Sequence, residues 1–415
     1  MTEMKGWCFL NLVKTKKNKI FLPVFLCVFC LSACAFPYKE ESGAGQGSKP
    51  LQEIATPVTL GEESALLHKK DQSGRYCYES LTAEEQMWYE DMYAIMEGMY
   101  TDVILSPLTD AAIDEQNIDK IFQCVMNDHP EMFYVKGYTY TLYTYGGETE
   151  KISFSGTYTM DAAARKECKQ LIDSAVDECL SHISMDASDY EKVKYVYQYL
   201  VLNTEYDQQA PENQNICSVF IDRRSVCQGY AKAAQYLLEK LAVPSTLVIG
   251  SVYNGESHAW NLVQIDGSFY YVDATWGDAS YQVVESEGSL SVDSLPAINY
   301  DYLCVTTEQL LKTHVIDNVV PLPECTSMDA NYYIMEGAYF TAYDTAQVAA
   351  FFEKGYETGR QDITLKCSDK AVYDEFYEQL ITGQKIFDYL NSTDGVIAYA
   401  EDADNHSMTF WLVNE

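Results

Sequence analysis

The dipeptide Asp266-Gly267 separates two runs of alternating, largely apolar residues, at positions 257–265 and 268–274. Asp-Gly between two such runs is a strong signal for a β-hairpin, because a tight two-residue turn needs positive φ at both of its central positions. A hairpin commits both runs to neighbouring antiparallel strands, and this constrains the fold more than any other feature of the chain. The sequence therefore predicts an antiparallel sheet in this region.

The length of this turn decides which side chains share a face of the sheet. If residues 266 and 267 alone form it, Ile265 pairs with Ser268, and the pairing continues outward from there. His258 and Asp273 then become diagonal neighbours on one face, within reach of an aspartate–imidazole hydrogen bond. A three-residue turn would place the two side chains on opposite faces. The predicted pair therefore depends on a two-residue turn.

A cysteine precedes the hairpin at a predicted helix start. Cys227 and Gly229 are followed by apolar residues at helical spacing, namely Ala231, Ala234, Leu237, Leu238 and Leu241. We expect Cys227 at or just before the helix N-terminus, where the helix dipole favours a thiolate and backbone N–H groups can contribute to an oxyanion hole. The small residues at 229 and 231 would let another element pack close to it. A cysteine alone is weak evidence, since buried cysteines are usually inert.

A thiol, an imidazole and a carboxylate together suit acyl transfer. A thiolate attacks a carbonyl carbon, a histidine takes or gives the proton, and a carboxylate fixes the tautomer and orientation of the histidine. The sequence assigns these three roles to Cys227, His258 and Asp273, which follow one another along the chain.

Three short segments carry a resemblance to a known family. They read Ser225-Val-Cys227-Gln-Gly-Tyr-Ala231, His258-Ala-Trp-Asn261 and Asp273-Ala-Thr-Trp276. Their residue types, order and spacing resemble the transglutaminase-like family over roughly residues 188–315, about a third of the chain. The resemblance implies an α+β fold with a papain-like core, in which the helix that bears Cys227 packs on an antiparallel sheet that bears His258 and Asp273. Small α+β regions are expected to flank this core.

The resemblance implies thiol chemistry without fixing the reaction, because the family includes peptidases, amidases and transglutaminases. We expect an enzyme that acts on amide bonds of peptide or protein substrates outside the cell. Water as the second nucleophile would make it a peptidase or amidase, and a lysine amine would make it a transglutaminase; access of water slightly favours hydrolysis. Two alternatives are a non-catalytic surface binding or assembly module on the same fold and an arylamine acetyl-transfer enzyme. The strand at 258–261 counts against an arylamine acetyl-transfer enzyme, as does the lipid anchor that the N-terminal residues predict, described below.

Four further residues are candidates for contacting the substrate or the oxyanion. Gln228 is adjacent to the nucleophile, and Tyr206 could donate a second hydrogen bond to the oxyanion, although a packing role is the alternative. Trp260 and Trp276 are expected to form the core and the wall of the cleft. His314 follows a predicted helix and is expected to be a cap or a surface residue.

Charge and cysteine spacing exclude several classes of partner. The chain has 62 acidic and 28 basic residues and a net charge of −34. This argues against nucleic acid, whose binding depends on lysine and arginine at phosphates, and predicts a solvated acidic surface. The chain after Cys34 has no Cys-x-x-Cys, no Cys/His cluster with zinc spacing and no acidic loop with calcium spacing. We therefore expect no metal and no organic cofactor.

The N-terminus predicts a bacterial lipoprotein. Residues 1–33 combine four lysines between positions 14 and 19, an apolar stretch at 20–31 and small residues before Cys34, as in a signal peptide. Cys34 would be lipidated and would hold the protein on the outer face of the cell membrane; a plain signal peptide is the alternative. Removal of residues 1–33 takes away five lysines and one glutamate, so the net charge becomes −38. We therefore expect membrane contact only through the lipid.

The remaining chain is predicted to have four parts. They are a flexible tether at 34–75, an N-terminal α+β region at 76–185, the transglutaminase-like catalytic core at 186–325 and a small α+β domain at 326–415. The last domain reads as strand, helix, strand, helix and strand pair, with helices near 345–355 and 370–391. Nine cysteines follow Cys34, and we expect most of them to be buried thiols; one or two disulfides are the alternative.

Overall fold

The structure, a computed structural model, describes residues 11–14, 71–107, 115–145, 148–285, 295–390 and 396–412. Within these stretches, no helix has both the length and the apolar character that a membrane span requires. Cys34 and the predicted tether, apart from residues 71–75, lie outside the described residues. Of the predicted signal peptide, positions 11–14 alone are described.

The described residues form eleven α-helices and fifteen β-strands. The helices are α1 (Tyr76–Glu79), α2 (Ala83–Glu97), α3 (Glu115–Asp128), α4 (Ala162–Leu180), α5 (Asp189–Asn203), α6 (Cys227–Lys240), α7 (Ala279–Glu285), α8 (Thr307–Leu310), α9 (Tyr332–Met335), α10 (Thr345–Glu357) and α11 (Lys370–Tyr377). The strands are β1 (Asn11–Lys14), β2 (Val103–Ile104), β3 (Val135–Tyr145), β4 (Glu148–Tyr158), β5 (Glu205–Tyr206), β6 (Arg224–Ser225), β7 (Ser245–Val252), β8 (Ser257–Ile265), β9 (Ser268–Val272), β10 (Leu303–Val305), β11 (His314–Ile316), β12 (Tyr339–Phe340), β13 (Asp362–Cys367), β14 (Val396–Asp402) and β15 (Ser407–Trp411).

The chain divides into two compact units. The larger unit consists of Ala33–Thr275 and Thr306–Thr326, and the other consists of Met1–Ser32, Trp276–Val305 and Ser327–Glu415. The larger unit therefore contains Cys227, His258 and Asp273 together. The finer division into five parts that the sequence suggests stays a prediction.

The first part of the larger unit contains helices α1 to α5 and a long hairpin. Strands β2, β4 and β3 form an antiparallel sheet in that order. Helices α2 and α5 both begin with a capping box, at Thr82 with Glu85 and at Ser188 with Glu191. In each box the N-cap hydroxyl and the glutamate satisfy backbone N–H groups that the first helical turn leaves without acceptors, which explains where both helices begin.

A second antiparallel sheet follows in the larger unit, with its strands in the order β9-β8-β7-β11. The turn between β8 and β9 consists of Asp266 and Gly267, whose φ angles are 49° and 83°. Ile265 pairs with Ser268, and the ladder continues to Asn261 opposite Val272. The two-residue turn and the register that the sequence predicts are therefore confirmed.

Helix α6 packs on this sheet through small residues. Ala231 lies in a buried cluster with Leu247 of β7 and Ala259 of β8. The side-chain amide of Asn261 donates to the carbonyl oxygen of Ala231 at 2.9 Å and so joins β8 to the helix. At Gly229 a Cβ would lie 1.9 Å from Oγ of Ser225, so only glycine admits the preceding segment this close. The predicted α+β core, with a helix on an antiparallel sheet, is confirmed.

The other unit contains a five-stranded sheet in the order β1-β14-β15-β13-β12, antiparallel except between β12 and β13. Helices α10 and α11 pack on it through a core that includes Val348, Phe352 and Phe376. The predicted order of strand, helix, strand, helix and strand pair is confirmed. The second helix is shorter than predicted: α11 ends at Tyr377, a π-helical turn continues it over Glu378–Thr382, and Gln384 then adopts a left-handed φ of 58°.

Nine cysteines are described, and all of them are thiols. Eight are buried and Cys168 is half-buried. The expectation of mostly buried thiols is confirmed. The predicted signal peptide stays a prediction; its described residues, Asn11–Lys14, pair with β14 as strand β1.

Candidate active site

Cys227 is the first residue of α6 and follows Val226, whose backbone is extended (φ −117°, ψ 178°). The cysteine is 7% exposed, so its side chain is largely enclosed by protein. As the first two residues of the helix, Cys227 and Gln228 present backbone N–H groups that intrahelical bonding leaves without acceptors. The predicted position of Cys227 at a helix N-terminus is confirmed.

His258 and Asp273 are brought together by the β8–β9 hairpin. His258 Nε2 lies 2.7 Å from Oδ2 of Asp273, and both side chains are buried. Asp273 follows directly after β9, one position beyond the last paired residue, Val272. The predicted aspartate–imidazole hydrogen bond is therefore present. Since Nε2 is engaged with the carboxylate, Nδ1 is the ring nitrogen left to interact with the thiol of Cys227.

The charges of these groups depend on one another. Burial by itself lowers the pKa of His258, but Asp273 and Cys227, through their charges and their hydrogen bonds, outweigh it and raise the pKa to about 10. Burial by itself raises the pKa of Asp273, but hydrogen bonds and charge from His258 and His314 hold that pKa well below its usual range. The site therefore favours a carboxylate beside an imidazolium that also interacts with a thiol.

A second histidine contacts the same carboxylate oxygen. His314 Nε2 lies 3.1 Å from Oδ2 of Asp273, and the His314 side chain is completely buried. The expectation of a surface position for His314 is wrong, whereas its contact with the backbone of Leu310, the last residue of α8, agrees with the alternative of a cap. His314 is the first residue of β11, which pairs with β7, and this pairing turns its side chain inward. The sequence offered one signal for this strand, the short alternation His-Val-Ile after the helix that begins at Thr307.

His314 differs from His258 in charge. Burial lowers the pKa of His314, and the positive charge of His258 acts in the same direction, while the opposing influence of Asp273 does not prevail. One imidazolium and one neutral imidazole therefore share the Asp273 carboxylate. Its other oxygen, Oδ1, accepts the backbone N–H of Thr275 at 2.9 Å.

Comparison with known proteins identifies a family for one part of the chain. Residues 180–274 match the model of the transglutaminase-like superfamily. This part of the chain is a transglutaminase-like domain. The match includes Cys227, His258 and Asp273 and ends before β11.

Two curated relatives match part of the chain. The kyphoscoliosis peptidases of mouse and human are each 25% identical to it, over 133 and 131 residues, and each match covers 28% of this chain. The chain spans about a fifth of the length of these relatives, since each match covers 20% of the peptidase.

Solved structures show a weaker likeness. A TGase is 17% identical, with 42% of this chain and 51% of that chain covered and a TM-score of 0.25. The periplasmic domain of TgpA from Pseudomonas aeruginosa is 15% identical, with 35% and 59% covered and a TM-score of 0.22. At these TM-scores the likeness supports no conclusion about this chain.

The other predicted residues of the transglutaminase-like domain lie in different surroundings. Trp260 is buried against both histidines, stacked on His258 with ring centroids 5.8 Å apart and edge-on to His314 at 5.0 Å. Gln228 is half-buried, directly after the cysteine. Tyr206 is buried in β5, whose backbone pairs with Ser225 two residues before Cys227.

Trp276 belongs to the other unit. It is buried there, with its ring 4.8 Å from that of Tyr302. Its predicted place in the wall of the cleft stays a prediction, as do the substrate-binding roles of Gln228, Tyr206 and Trp260.

Three side chains of the site could also serve as metal ligands. His258, Asp273 and His314 offer ligand atoms that lie within 4.8 Å of one another. A zinc ion with bonds of 2.0–2.1 Å keeps its ligand atoms about 3.3 Å apart. The distances from Asp273 Oδ2, 2.7 Å to His258 and 3.1 Å to His314, are instead those of direct hydrogen bonds. The residues are thus arranged as a hydrogen-bonded group, and the absence of a metal requirement stays an expectation.

Proposed function

We propose that this chain is a thiol enzyme that performs acyl transfer or hydrolysis at amide bonds of peptide or protein substrates. One observation supports this most directly. His258 interacts with the thiol of Cys227 while its Nε2 bonds the buried Asp273 at 2.7 Å. The pair is thereby prepared for proton transfer to and from a nucleophile at a helix N-terminus, as acyl transfer through a covalent intermediate requires.

The proposed reaction has two steps. The Cys227 thiolate attacks the amide carbon, and the backbone N–H groups at the start of α6 stabilise the oxyanion that forms. The imidazolium of His258 donates its proton to the leaving amine as the carbon–nitrogen bond breaks, which leaves a thioester. Neutral His258 then takes a proton from the second nucleophile, which attacks the thioester and releases Cys227. Asp273 stays ionised throughout and holds the imidazole in place.

The second nucleophile decides between two outcomes. The first step releases the same amine in both cases. Water then gives hydrolysis, and a lysine amine gives transamidation. The curated relatives are peptidases by name, which supports hydrolysis as the first activity to assay.

The proposed location is the outer face of a bacterial cell membrane, with Cys34 as the lipidated anchor and substrates that include proteins associated with the cell wall. The sequence pattern before Cys34 supports it. The mature charge of −38 supports contact with the membrane through the lipid alone, because a strongly acidic body is repelled by anionic lipids.

Alkylation of Cys227 tests whether the three groups act together. The full chain in detergent would be treated with iodoacetamide between pH 4 and pH 11, and labelling of Cys227 followed by mass spectrometry. An activated thiolate reacts rapidly well below pH ~8.5, the ordinary value for a free thiol. His258→Ala should shift this labelling to the alkaline range, because the cysteine loses the positive charge beside it.

Cys168, which is half-buried on α4, gives an internal reference in the same digest, since its labelling should not respond to His258→Ala. If Cys227 reacts only above pH ~8.5 with or without His258, the proposed triad is not assembled. The chain would then be a binding or assembly module on the same fold. If Cys227 is activated, release of new amino termini and incorporation of a fluorescent primary amine distinguish hydrolysis from transamidation.

A further inference from the structure

The position of His314 follows from the register of β11 on β7. His314 lies opposite Val252, and its side chain is completely buried. The next residue, Val315, is 55% exposed, as expected where side chains alternate between the two faces of a strand. The strand therefore directs one imidazole inward, to a carboxylate that is 41 residues away in the chain.

A glycine in β7 permits this approach. A Cβ on Gly250 would lie 2.0 Å from the carbonyl oxygen of Val315 and 2.7 Å from the ring of Trp260. Trp260 in turn contacts the rings of both His258 and His314. Close packing of β11 on β7 and contact of one indole with both imidazoles thus fix the orientation of His314.

Hydrogen bonding to Asp273 fixes one ring proton of His314, the one on Nε2. An ionised carboxylate only accepts, so the Nε2 atom that lies 3.1 Å from Asp273 must carry a proton and donate it. The other nitrogen, Nδ1, lies 2.8 Å from Oγ1 of Thr313, whose hydroxyl proton can be donated to it. A neutral imidazole that carries its proton on Nε2 is compatible with both of these contacts.

We propose that His314 is a positioning residue for the Cys227–His258–Asp273 triad, and that its Nε2–H holds the Asp273 carboxylate in the orientation that bonds His258. This inference rests on the proposed function of those three residues. The backbone N–H of Thr275 already holds Oδ1 at 2.9 Å. With His314 on Oδ2, the carboxylate cannot turn away from His258 without breaking two further hydrogen bonds.

The neutral state of His314 suits this role. The titratable groups that act on it are Asp273, at the end of β9, and His258, on β8, while Cys227 of α6 acts on His258. A second cation would compete with His258 for the carboxylate. Asp273 would then stabilise the protonated form of His258 less strongly. A neutral donor orients Asp273 and leaves its full charge to stabilise the imidazolium of His258.

Alkylation of Cys227 by iodoacetamide between pH 4 and pH 11 also tests this role. His314→Leu removes the donor with little change in bulk, and His314→Gln keeps an N–H at similar reach. We expect His314→Leu to slow labelling about tenfold at pH 6, the effect of one lost hydrogen bond to a charged group. At pH 11 the rates should coincide, because the thiolate then forms without the imidazolium. His314→Gln should restore the rate at pH 6 to within about threefold of wild type.

Two further variants separate positioning from packing. Thr313→Val removes the hydroxyl that donates to Nδ1 and should give a smaller loss at pH 6. His129→Gln replaces a histidine that is as deeply buried but bonds Glu131, and it should leave the pH profile of Cys227 unchanged. Circular dichroism would show whether each variant is folded; if His314→Leu is not, the Gln and Thr313→Val variants decide the matter.

The proposal is overturned if His314→Leu keeps the wild-type profile, or slows labelling equally at every pH, or is not rescued by glutamine. It is also overturned if treatment with EDTA changes the wild-type profile as much as His314→Leu does, since the three side chains would then bind a metal ion. Failure of the proposed function gives a different result, in which wild-type Cys227 itself reacts only above pH ~8.5.

Discussion

A single carboxylate oxygen, Oδ2 of Asp273, accepts hydrogen bonds from two imidazoles that differ in charge. The carboxylate is 1% exposed, and an isolated charge at such depth would be strongly unfavourable. Hydrogen bonds from His258, His314 and the backbone of Thr275 compensate for the lost water. The neighbouring hydrogen-bond donors therefore keep Asp273 ionised. The positive charge of His258 depends in turn on this carboxylate.

Replacement of Asp273 by asparagine should remove the charge that keeps His258 protonated. The pKa of His258 is raised above its ordinary value to about 10, so the imidazolium is present at neutral pH and is lost as the pH rises through about 10. In Asp273→Asn this loss should occur several pH units lower. The ratio of alkylation rates with iodoacetate and iodoacetamide reports it, because only the anionic reagent is attracted by an imidazolium beside the thiolate.

Asp128→Asn is a matched control for this prediction. Asp128 is equally buried and accepts backbone N–H groups from Cys77 and Tyr78, but it is not part of the site. This substitution should destabilise the protein and leave the pH dependence of the reagent ratio unchanged. Equal profiles for Asp273→Asn and the wild type would show that Asp273 does not set the charge of His258.

At the residue level, sequence reasoning identified the pair that a local turn determines. The positions of His258 and Asp273, which are 15 residues apart, follow from the two-residue turn at Asp266-Gly267 that lies between them. His314 depends on the pairing of β11 with β7, which join across some 60 residues of chain. No local rule gives the register of such a distant pair, so the sequence could not place this histidine.

Among the elements, the packing of β11 on β7 depends on the absence of a single atom, the Cβ that Gly250 lacks. Gly250→Ala would place a methyl group 2.0 Å from the carbonyl oxygen of Val315, and the backbone of one strand would have to move. We expect a loss of about 1–3 kcal/mol in the free energy of unfolding, as for other overpacked sites. We also expect slower labelling of Cys227 at pH 6, because His314 moves with the strand.

Gly137→Ala in β3 is the control, since its Cβ would meet nothing closer than Oγ1 of Thr157 at 3.4 Å. Urea denaturation should show a change of less than about 0.5 kcal/mol for this variant. If Gly250→Ala is as stable as the wild type, β11 does not depend on the absence of a side chain at position 250.

The elements themselves were more predictable than their pairing. Apolar periodicity after Cys227 located α6, because helix starts are determined within a few residues. The predicted helix at 370–391 ends early, at Gly383, which follows the helical turn Glu378–Thr382. Glycine is the residue that most often ends a helix, so the sequence held a signal for this end that the prediction did not use.

For the whole molecule, the predicted anchor and the net charge of −34 act in opposite directions at an anionic membrane. Cys34→Ala should therefore move the protein from the membrane fraction to the soluble fraction of cells that express it, as immunoblotting of the two fractions would show. Cys30→Ala, four residues earlier in the predicted signal peptide, should leave the protein membrane-bound. Retention of the Cys34→Ala protein in the membrane fraction would contradict a lipid anchor at this residue.

The alternation of the two units along the chain was the least accessible property of the molecule. The larger unit takes in Thr306–Thr326 after an intervening segment, Trp276–Val305, that belongs to the other unit. Sequence composition shows domain limits where a linker separates consecutive domains. It gives no such signal where the two units take alternating pieces of the chain.

The separation of β11 from the rest of the site matters for anyone who wishes to transplant this chemistry to another scaffold. A segment with the limits of the family match would end at residue 274, and it would contain Cys227, the β8–β9 hairpin and Asp273. It would lack β11, so the edge of β7 at Val252 would have no partner and Asp273 would keep one imidazole of two. A graft that is to reproduce the site should therefore extend to residue 326, where the larger unit ends.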